Sequence, residues 1–502
     1  MSDLIGASTA AQPRSAPVGE AAPLAPAAAI ILAAGKSTRM RSKLPKPLHP
    51  LCGLPMTAHV IRACRDAGVE RVVVVIGHEA EKVRAGLGSD VEYALQEQQR
   101  GTGDAVRAAQ PLLADWQGTI VVLAGDVPLL PAETVRHLIA HQQATCAQAT
   151  LLTAFLEDAT GYGRIVRDAA GRVTRIVEEK DATPQERAIQ EWNPSIYAFD
   201  ASALWSALTA IEPNNVQGEF YLTDAIGVLV GRGARVEAIP AADVRDVLGV
   251  NTRVELAACA AVMRERLLVK LMLSGVTVMD PRATYVDVDV EVGQDTILEP
   301  NTFLLRGTRI GQDCMIGPHA RIEASTLGDG VKVLASQIVE SVLEDGVRVG
   351  PYANLRPGSH LGPRVKVGDF VEIKNARLEA GVSASHLAYI GDAEVGEGTN
   401  IGAGTITCNY DGFQKHRTVI GKRVFVGSHS TLIAPVTVSD GAFIAAASAI
   451  TEDVPGDALA IARSRQVVKL GWAARYRQVH SQQAQVKTPT APEPSESHSG
   501  QE

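Results

Sequence analysis

The sequence predicts an N-terminal α/β domain with an open, mostly parallel sheet, one long connecting helix, and a C-terminal parallel β-helix. The β-helix is read from a six-residue beat. An aliphatic residue recurs at Val349, Leu355, Leu361, Val367 and Ile373, again at Ile420, Val426, Leu432, Val438, Ile444 and Ile450, and earlier at Ile310, Ile316 and Ile322. A period of six fits neither an α-helix nor a half-buried strand. It fits hexapeptides that each form one short face of a coil, the aliphatic side chain pointing into the stack. Glycine follows several of these residues, as in Ile310-Gly311, Val349-Gly350, Val367-Gly368, Ile401-Gly402 and Val426-Gly427, which suits a tight corner. The α/β half is read from strands alternating with helices. The connecting helix is read from a helical apolar stripe.

The extension 1–27 is rich in Ala and Pro and lacks a basic start with an apolar core, so it reads as disordered and not as a signal peptide. In the α/β domain, residues 28–250, a strand at Ile30–Ala33 runs into a Gly/Lys/Arg loop. A helix covers Met56–Ala67 and stops before Gly68. Strands follow at Arg71–Ile76 and Thr119–Leu123, the second running into Gly125-Asp126. Further strands are expected at Ala149–Phe155, Arg172–Val177 and Ile196–Phe199, with a helix over Glu219–Val230. Residues 251–273 form the connector, with Leu256, Val262, Met263, Leu267 and Leu271 on its stripe. The β-helix occupies 274–455, its repeat clear from about Tyr285 to Val454, with on the order of nine or ten coils. The beat breaks near Cys408–Arg417, an excursion from the stack. A tail covers 456–502 and is expected to be disordered after about Ser481.

A chain of 502 residues exceeds one core. Aromatics at 4% and 45 glycines suit a narrow aliphatic solenoid. A net charge of -8 argues against a nucleic-acid-binding surface over the whole protein, though a local cationic loop is enough for an anionic substrate. Six scattered cysteines without C-x-x-C spacing read as free thiols of a cytoplasmic protein. No run of apolar residues is long enough for a membrane span.

The loop LAAGKSTRMRSKLPK places Lys36, Arg39, Arg41, Lys43 and Lys46 directly after a buried strand and Gly35. Charge alone reads equally well as a solvated basic loop. The order strand, glycine, then cations favours a polyphosphate site. The P-loop pattern is absent. Asp126 ends a hydrophobic strand in LAGDVPL, where a carboxylate can hold Mg²⁺ or simply form a turn before Pro128. Gly101-Thr102-Gly103 alone is a weak motif. In the solenoid, Lys374, His386, Tyr389, Asn400, Asn409 and Tyr410 accumulate where a coil needs only small and aliphatic residues. The cations Arg356 and Lys374 in nearby coils raise the interest of His386 above that of a lone exposed histidine.

The string LAAGKSTRM…LPKPL, with GTG, GDVPL, GYGRI, VEEKDAT and GVN downstream, resembles the sugar-1-phosphate nucleotidyltransferases. Joined to a hexapeptide solenoid, it is similar to the bacterial bifunctional family that combines N-acetylglucosamine-1-phosphate uridyltransferase with glucosamine-1-phosphate acetyltransferase. The resemblance covers about residues 28–475 and implies a Rossmann-like sheet and a left-handed coil. It implies acetylation of glucosamine 1-phosphate by acetyl-CoA and then uridylyl transfer from UTP. The products are pyrophosphate and UDP-N-acetylglucosamine, a precursor of cell wall and lipopolysaccharide. In the uridylyl site it assigns Leu32, Ala33, Ala34 and Gly35 to the nucleotide and Gln96, Gly101 and Thr102 to uracil. Arg39 and Lys46 go to the phosphates, Asp126 and Asn251 to Mg²⁺, and Gly163, Glu178 and Asn193 to the sugar. In the second site it implies His386 as general base, for which a neutral imidazole has a suitable pKa. Arg356, Lys374, Tyr389 and Asn400 then bind glucosamine 1-phosphate, and Ala403, Ser428, Ala446 and Arg463 bind acetyl-CoA, with Asn409 and Tyr410 shaping the same pocket. It further implies a homotrimer with acetyl sites between subunits, no nucleic-acid or membrane partner, and a basic tail, Arg463–Arg477, closing over a neighbour, a segment whose composition reads nearly as well as a stabilising C-terminal cap.

The sequence departs from the family pattern in two places. Asn193-Pro194-Ser195 stands where Asn-Thr-Gly is usual, and Ala124 stands where an aromatic often precedes GDVPL. An alternative reading is another sugar-1-phosphate nucleotidyltransferase whose β-helix serves only oligomerisation; the set His386, Tyr389 and Asn400 speaks against it.

Overall fold

The computed structural model describes residues 25–36 and 38–486, the side chains of 482–486 excepted. The expected disorder of the N-terminal extension therefore lies outside the described residues up to position 24. Ala27 already belongs to the first strand, so the extension is shorter than expected.

The N-terminal domain is built on a ten-stranded sheet. Its strands are β1 (Ala27–Leu32), β2 (Arg71–Ile76), β3 (Glu92–Leu95), β4 (Thr119–Ala124), β5 (Ala149–Phe155), β6 (Gly163–Arg167), β7 (Val173–Val177), β8 (Glu191–Asn193), β9 (Ile196–Asp200) and β10 (Val236–Pro240). The order is β3-β2-β1-β4-β9-β5-β8-β6-β7, with β10 beside β5. Pairs among β1 to β4 are parallel, as is β5 with β10, whereas β9, β8, β6 and β7 pair antiparallel. The sheet is thus mixed, and the parallel character expected from the sequence holds chiefly for the first half of the domain. Side chains of β1 alternate between two cores: Ala27, Ala29 and Ile31 meet the helices Met56–Asp66 and Ala132–Thr145. Ala28 and Ile30 meet Thr102–Leu113 and Ala201–Ala210. Cover on both faces is why this strand is an unbroken apolar run. The helix expected from Glu219 starts only at Asp224.

The connector, Arg253–Leu273, starts with a capping box in which Thr252 and Glu255 exchange hydrogen bonds. Its first half packs on Leu51, Met56, Leu129 and Val250 of the N-terminal domain. Its end, through Leu268 and Leu271, enters the apolar core of the solenoid. Leu268, outside the expected stripe, is the more deeply buried partner of the pair. Arg266 donates to the Leu129 carbonyl and to Asp246 (2.8 and 2.5 Å), and Arg264 lies 4.6 Å above the Tyr285 ring. The Val288 N–H also donates to the Cys52 carbonyl at 3.1 Å, so the two domains share backbone contacts.

The solenoid has three parallel sheets of 11, 10 and 9 strands, here the first, second and third sheets. It starts at Thr277, earlier than the visible repeat, and its last strand is Leu459–Ala460. Every residue of the six-residue beat is buried. Each such side chain contributes about 1.5–3 kcal/mol of burial. The excursion is confirmed: Ser383 pairs with Asn400 one 17-residue coil on, but Asn400 pairs with Phe425, a coil of 25 residues. The glycines that follow the beat answer mostly to clearance between coils and less to corner geometry. A Cβ on Gly368 would stand 1.9 Å from the Ser385 carbonyl oxygen, and one on Gly427 2.5 Å from the Ala446 nitrogen. The left-handed backbone at the corners is taken largely by other residues, among them Tyr352, Phe370, Leu387 and His429.

The tail departs from expectation in one respect: a helix covers Trp472–Val486, past Ser481, with residues 487–502 outside the described residues. Gly368→Ala is expected to cost about 1–3 kcal/mol by forcing adjacent coils apart. Gly231→Ala, where a Cβ meets open space, leaves thermal denaturation nearly unchanged.

Candidate active sites

The C-terminal ends of β1 and β4 open into a cavity of about 520 Å³, where ligands of open α/β sheets bind. Of the residues expected at the first site, Leu32, Ala33, Ala34, Gly35, Lys46, Gln96, Gly101, Thr102, Asp126, Asn193 and Asn251 line it. Gly125 lets the two strand ends close up, since a Cβ there would stand 2.8 Å from the Leu32 carbonyl oxygen. That approach delivers Asp126 to the cavity floor. The capping box presents Asn251: the Glu255 carboxylate accepts from the Asn251 N–H at 2.6 Å. The Val250 N–H donates to the Asp126 carbonyl at 2.9 Å, tying both segments together.

The Lys46 ammonium donates to the Asp126 carboxylate and, at 3.0 Å, to the Asn251 side-chain oxygen. Arg39 donates to that same oxygen at 2.9 Å. Two hard oxygens therefore converge on one cation. This donor set fits Mg²⁺, which takes one or two protein oxygens and completes its shell with water and phosphate. Arg39 reaches the site from outside the cavity lining. Arg41 and Lys43 are exposed and outside the lining, so three of the loop's five cations serve the cavity, with Lys36.

Gln96 donates to the Gly101 carbonyl (3.1 Å) and to Asp104 (3.0 Å), fixing its amide at the cavity wall. Gly101 has φ +113°, and a Cβ there would meet the Phe220 carbonyl oxygen at 2.5 Å, so glycine is required twice over. Gly163 and Glu178 stand just behind the lining. Gly163 pairs with Asn193 across β6 and β8, and Glu178 abuts Gly163 while accepting from the Thr223 hydroxyl at 3.1 Å. Burial raises the Glu178 pKa above the usual carboxyl range, and Asp224, Asp181 and Glu219 add to the rise. Asn193 donates to the Tyr197 hydroxyl at 2.7 Å and accepts from the Ser195 N–H at 3.1 Å, with Ser195 at φ +60°. The Asn-Pro-Ser departure thus leaves that amide one N–H and one lone pair. Tyr162 and Trp192, 4.1 Å apart, also line the cavity and were missed. Their signal lay in GYGRI and in the residue before Asn193.

The second site lies on the solenoid. His386 ends a strand of the first sheet, exposed, with Nδ1 2.8 Å from an Asp369 carboxylate oxygen. Asp369 was missed, although it lies one 17-residue coil before His386 and pairs with it in register. Along this edge follow Ala403, Ser428 and Ala446: His429 donates to the Ala403 carbonyl (2.7 Å) and Ala447 to that of Ser428 (2.8 Å). Arg463 follows closely on the last rung, where Ala449 donates to the Ala462 carbonyl, and is exposed. Arg356 and Lys374 stand at the far edge of the second sheet, and Tyr389, three residues after His386, opens the second-sheet strand Tyr389–Gly391, whose Gly391 is in register with Lys374. Arg356 is paired with Glu372 at 2.7 Å. The neighbouring Lys415 ammonium, then Arg356, pushes the Lys374 pKa below its ordinary value. Lys415, also missed, comes from the excursion, where it bridges Tyr410. Three cations thus meet at an exposed point. Asn409 donates to the Tyr389 hydroxyl at 3.4 Å and also contacts Asp392. Tyr410 is exposed and bonded within its own loop. Asn400 is not brought to the cation cluster: it lies on the first sheet between Ser383 and Phe425.

Residues 29–212 match the family model described as MobA-like NTP transferase domain, and residues 417–452 match hexapeptide repeat of succinyl-transferase. A relative from Brevibacillus brevis, named Bifunctional protein GlmU, is 50% identical over 89% of this chain and 96% of its own length. Relatives of the same name from Alkaliphilus metalliredigens and Clostridioides difficile are 49% and 46% identical, over 89% and 90% of this chain and 98% and 99% of their own.

The cation cluster yields a direct test. Lys415→Ala removes the closest like charge, so the Lys374 pKa rises towards that of a free lysine; ¹⁵N NMR titration of the side-chain amines reads the change.

Proposed function

The chain belongs to the bifunctional GlmU family, whose uridyltransferase and acetyltransferase activities make UDP-N-acetylglucosamine, and from that premise we propose how its residues divide the work. The observation that carries the reading is the presence of two separate, chemically different constellations on one chain. One is Lys46, Asp126, Asn251 and Arg39 at the strand ends. The other is His386 with the Arg356/Lys374/Lys415 cluster on the coil.

At the coil, the amine nitrogen of glucosamine 1-phosphate attacks the thioester carbonyl of acetyl-CoA. The C–N bond forms, the C–S bond breaks, the amine proton passes to His386 Nε2, and the leaving thiolate takes it up. Arg356, Lys374 and Lys415 hold the phosphate, and Tyr389 lies under the sugar. Ala403, Ser428, Ala446 and Arg463 form the track for the coenzyme, with Asn409 and Tyr410 at its border. At the strand ends, a phosphate oxygen of N-acetylglucosamine 1-phosphate attacks the α-phosphorus of UTP and pyrophosphate leaves. The nucleophile is already anionic, so alignment and charge neutralisation suffice. Lys46 and Arg39 neutralise the developing charge, Gln96, Gly101 and Thr102 read uracil, and Gly163, Glu178 and Asn193 border the sugar. Asp126 and Asn251 would hold Mg²⁺, which when bound supplies further neutralisation of the phosphates.

The assembly is read as a homotrimer. Tyr352, Phe370 and Leu387 form an exposed apolar column on the edge leading to His386, and Val467, Val468, Leu470 and Trp472 of the tail are exposed as well. Placement of Asn400 on a different sheet from Lys374 fits a pocket completed by a second copy. The proposed setting is cytoplasmic, supplying cell-wall and lipopolysaccharide precursors; among the described residues no helix is long and apolar enough to cross a membrane.

The two activities separate by mutation. Asp126→Ala lowers uridylyl transfer by about 10²-fold or more and spares acetyl transfer. His386→Ala lowers acetyl transfer by about 10²–10⁴-fold and spares uridylyl transfer. Assays of each half-reaction on purified protein decide it; a folded variant that loses both activities, or neither, overturns the division.

A further inference from the structure

We infer that Asp369 is a positioning residue for acetyl transfer, holding the His386 ring through Nδ1–H so that Nε2 faces the substrate amine. The inference rests on the reading of His386 as general base. Most solenoid strands here are two or three residues long, but Lys366–Asp369 and Ser383–His386 both run to four, and the added length brings Asp369 into register with His386. Two further features hold the alignment. The Leu387 N–H donates to the Asp369 carbonyl at 2.9 Å, and Gly368 lets the coils close where any Cβ would strike the Ser385 carbonyl. The backbone on either side of the imidazole is thereby fixed to the residue that holds its Nδ1.

Among the described residues Asp369 is the one hydrogen-bond partner of His386, at 2.8 Å. The other charged or titratable side chains on the adjoining strands are Lys366, Glu372, Lys374 and Tyr389, and none of them bonds the ring. The hydrogen bond from His386 keeps the Asp369 pKa below the usual range, so this carboxylate stays ionised at neutral pH. An ionised carboxylate accepts but cannot donate, so Nδ1 must carry the proton and Nε2 the lone pair. When Nε2 takes the amine proton, the same carboxylate stabilises the imidazolium.

Asp369→Asn keeps the shape and a carbonyl acceptor but removes the charge; Asp369→Ala removes both. Full-length protein with ¹⁵N-labelled histidine rings shows the His386 signals by their loss in His386→Gln. In the parent the neutral ring should carry its proton on Nδ1, and in Asp369→Asn, whose amide can donate as well as accept, a measurable share of the neutral ring should carry it on Nε2 instead, read from the ring ¹⁵N shifts. In Asp369→Ala the kcat of acetyl transfer at saturating substrates should fall about tenfold or more, with KM for glucosamine 1-phosphate unchanged and a smaller loss in the Asn variant. Uridylyl transfer reports the fold of each variant, and the isosteric Asn variant decides if the Ala variant does not fold. An unchanged His386 tautomer in Asp369→Asn, or a kcat within about twofold of the parent in a folded Asp369→Ala, overturns the inference. A His386→Gln protein that still acetylates at the parent rate overturns instead the assignment of the base.

Discussion

Parallel backbone pairing between successive coils is the interaction on which the C-terminal half depends. Once residue 383 is bonded above 366 and below 400, every side chain one coil apart shares a column. Apolar columns face inward and make the core without any long helix or tertiary crossover. Polar columns face outward, where a site can be assembled from residues 17 or 25 positions apart. Asp369 and His386 form one such column, and Ala403, Ser428 and Ala446 continue the same edge with side chains small enough to leave a track. The chemistry of the coil is a consequence of its pitch.

The N-terminal domain solves the same problem by convergence of strand ends. β1 and β4 are buried on both faces and so must be apolar along their length; polarity is released only where they stop. There, Gly125 permits close approach, Asp126 follows it, and the loop after β1 supplies Lys46 and Arg39. The helix cap at Thr252 and Glu255 has a second effect, since Glu255 also accepts from the Asn251 backbone. Local helix initiation and the placement of a candidate metal-binding amide are therefore one event.

The sequence made the architecture legible because a six-residue period has few structural solutions, and every beat residue is indeed buried. Strand positions in the N-terminal half were legible for the reason given above: buried parallel strands are continuous apolar runs. The antiparallel half was less legible, because short strands such as Glu191–Asn193 carry no pattern of their own and are defined by their neighbours. Within the sites, residues in compact motifs were visible, including Gly35, Lys46, Asp126 and His386. Asp369 and Lys415 were not, since their meaning depends on what lies one coil away or on how the excursion folds back. The glycines after the beat were visible as small residues, but the reason for them, the backbone of the next coil, appears only in three dimensions.

The helix Arg253–Leu273 is held at one end by the cap that orients Asn251 and at the other by the prism interior through Leu268 and Leu271. A fragment ending before it would keep Asn251 but lose Glu255, which orients it in the strand-end cavity, and one starting after it would leave the mouth of the coil unplugged. Any attempt to divide the chain into two working pieces must therefore give both of them the same 21 residues.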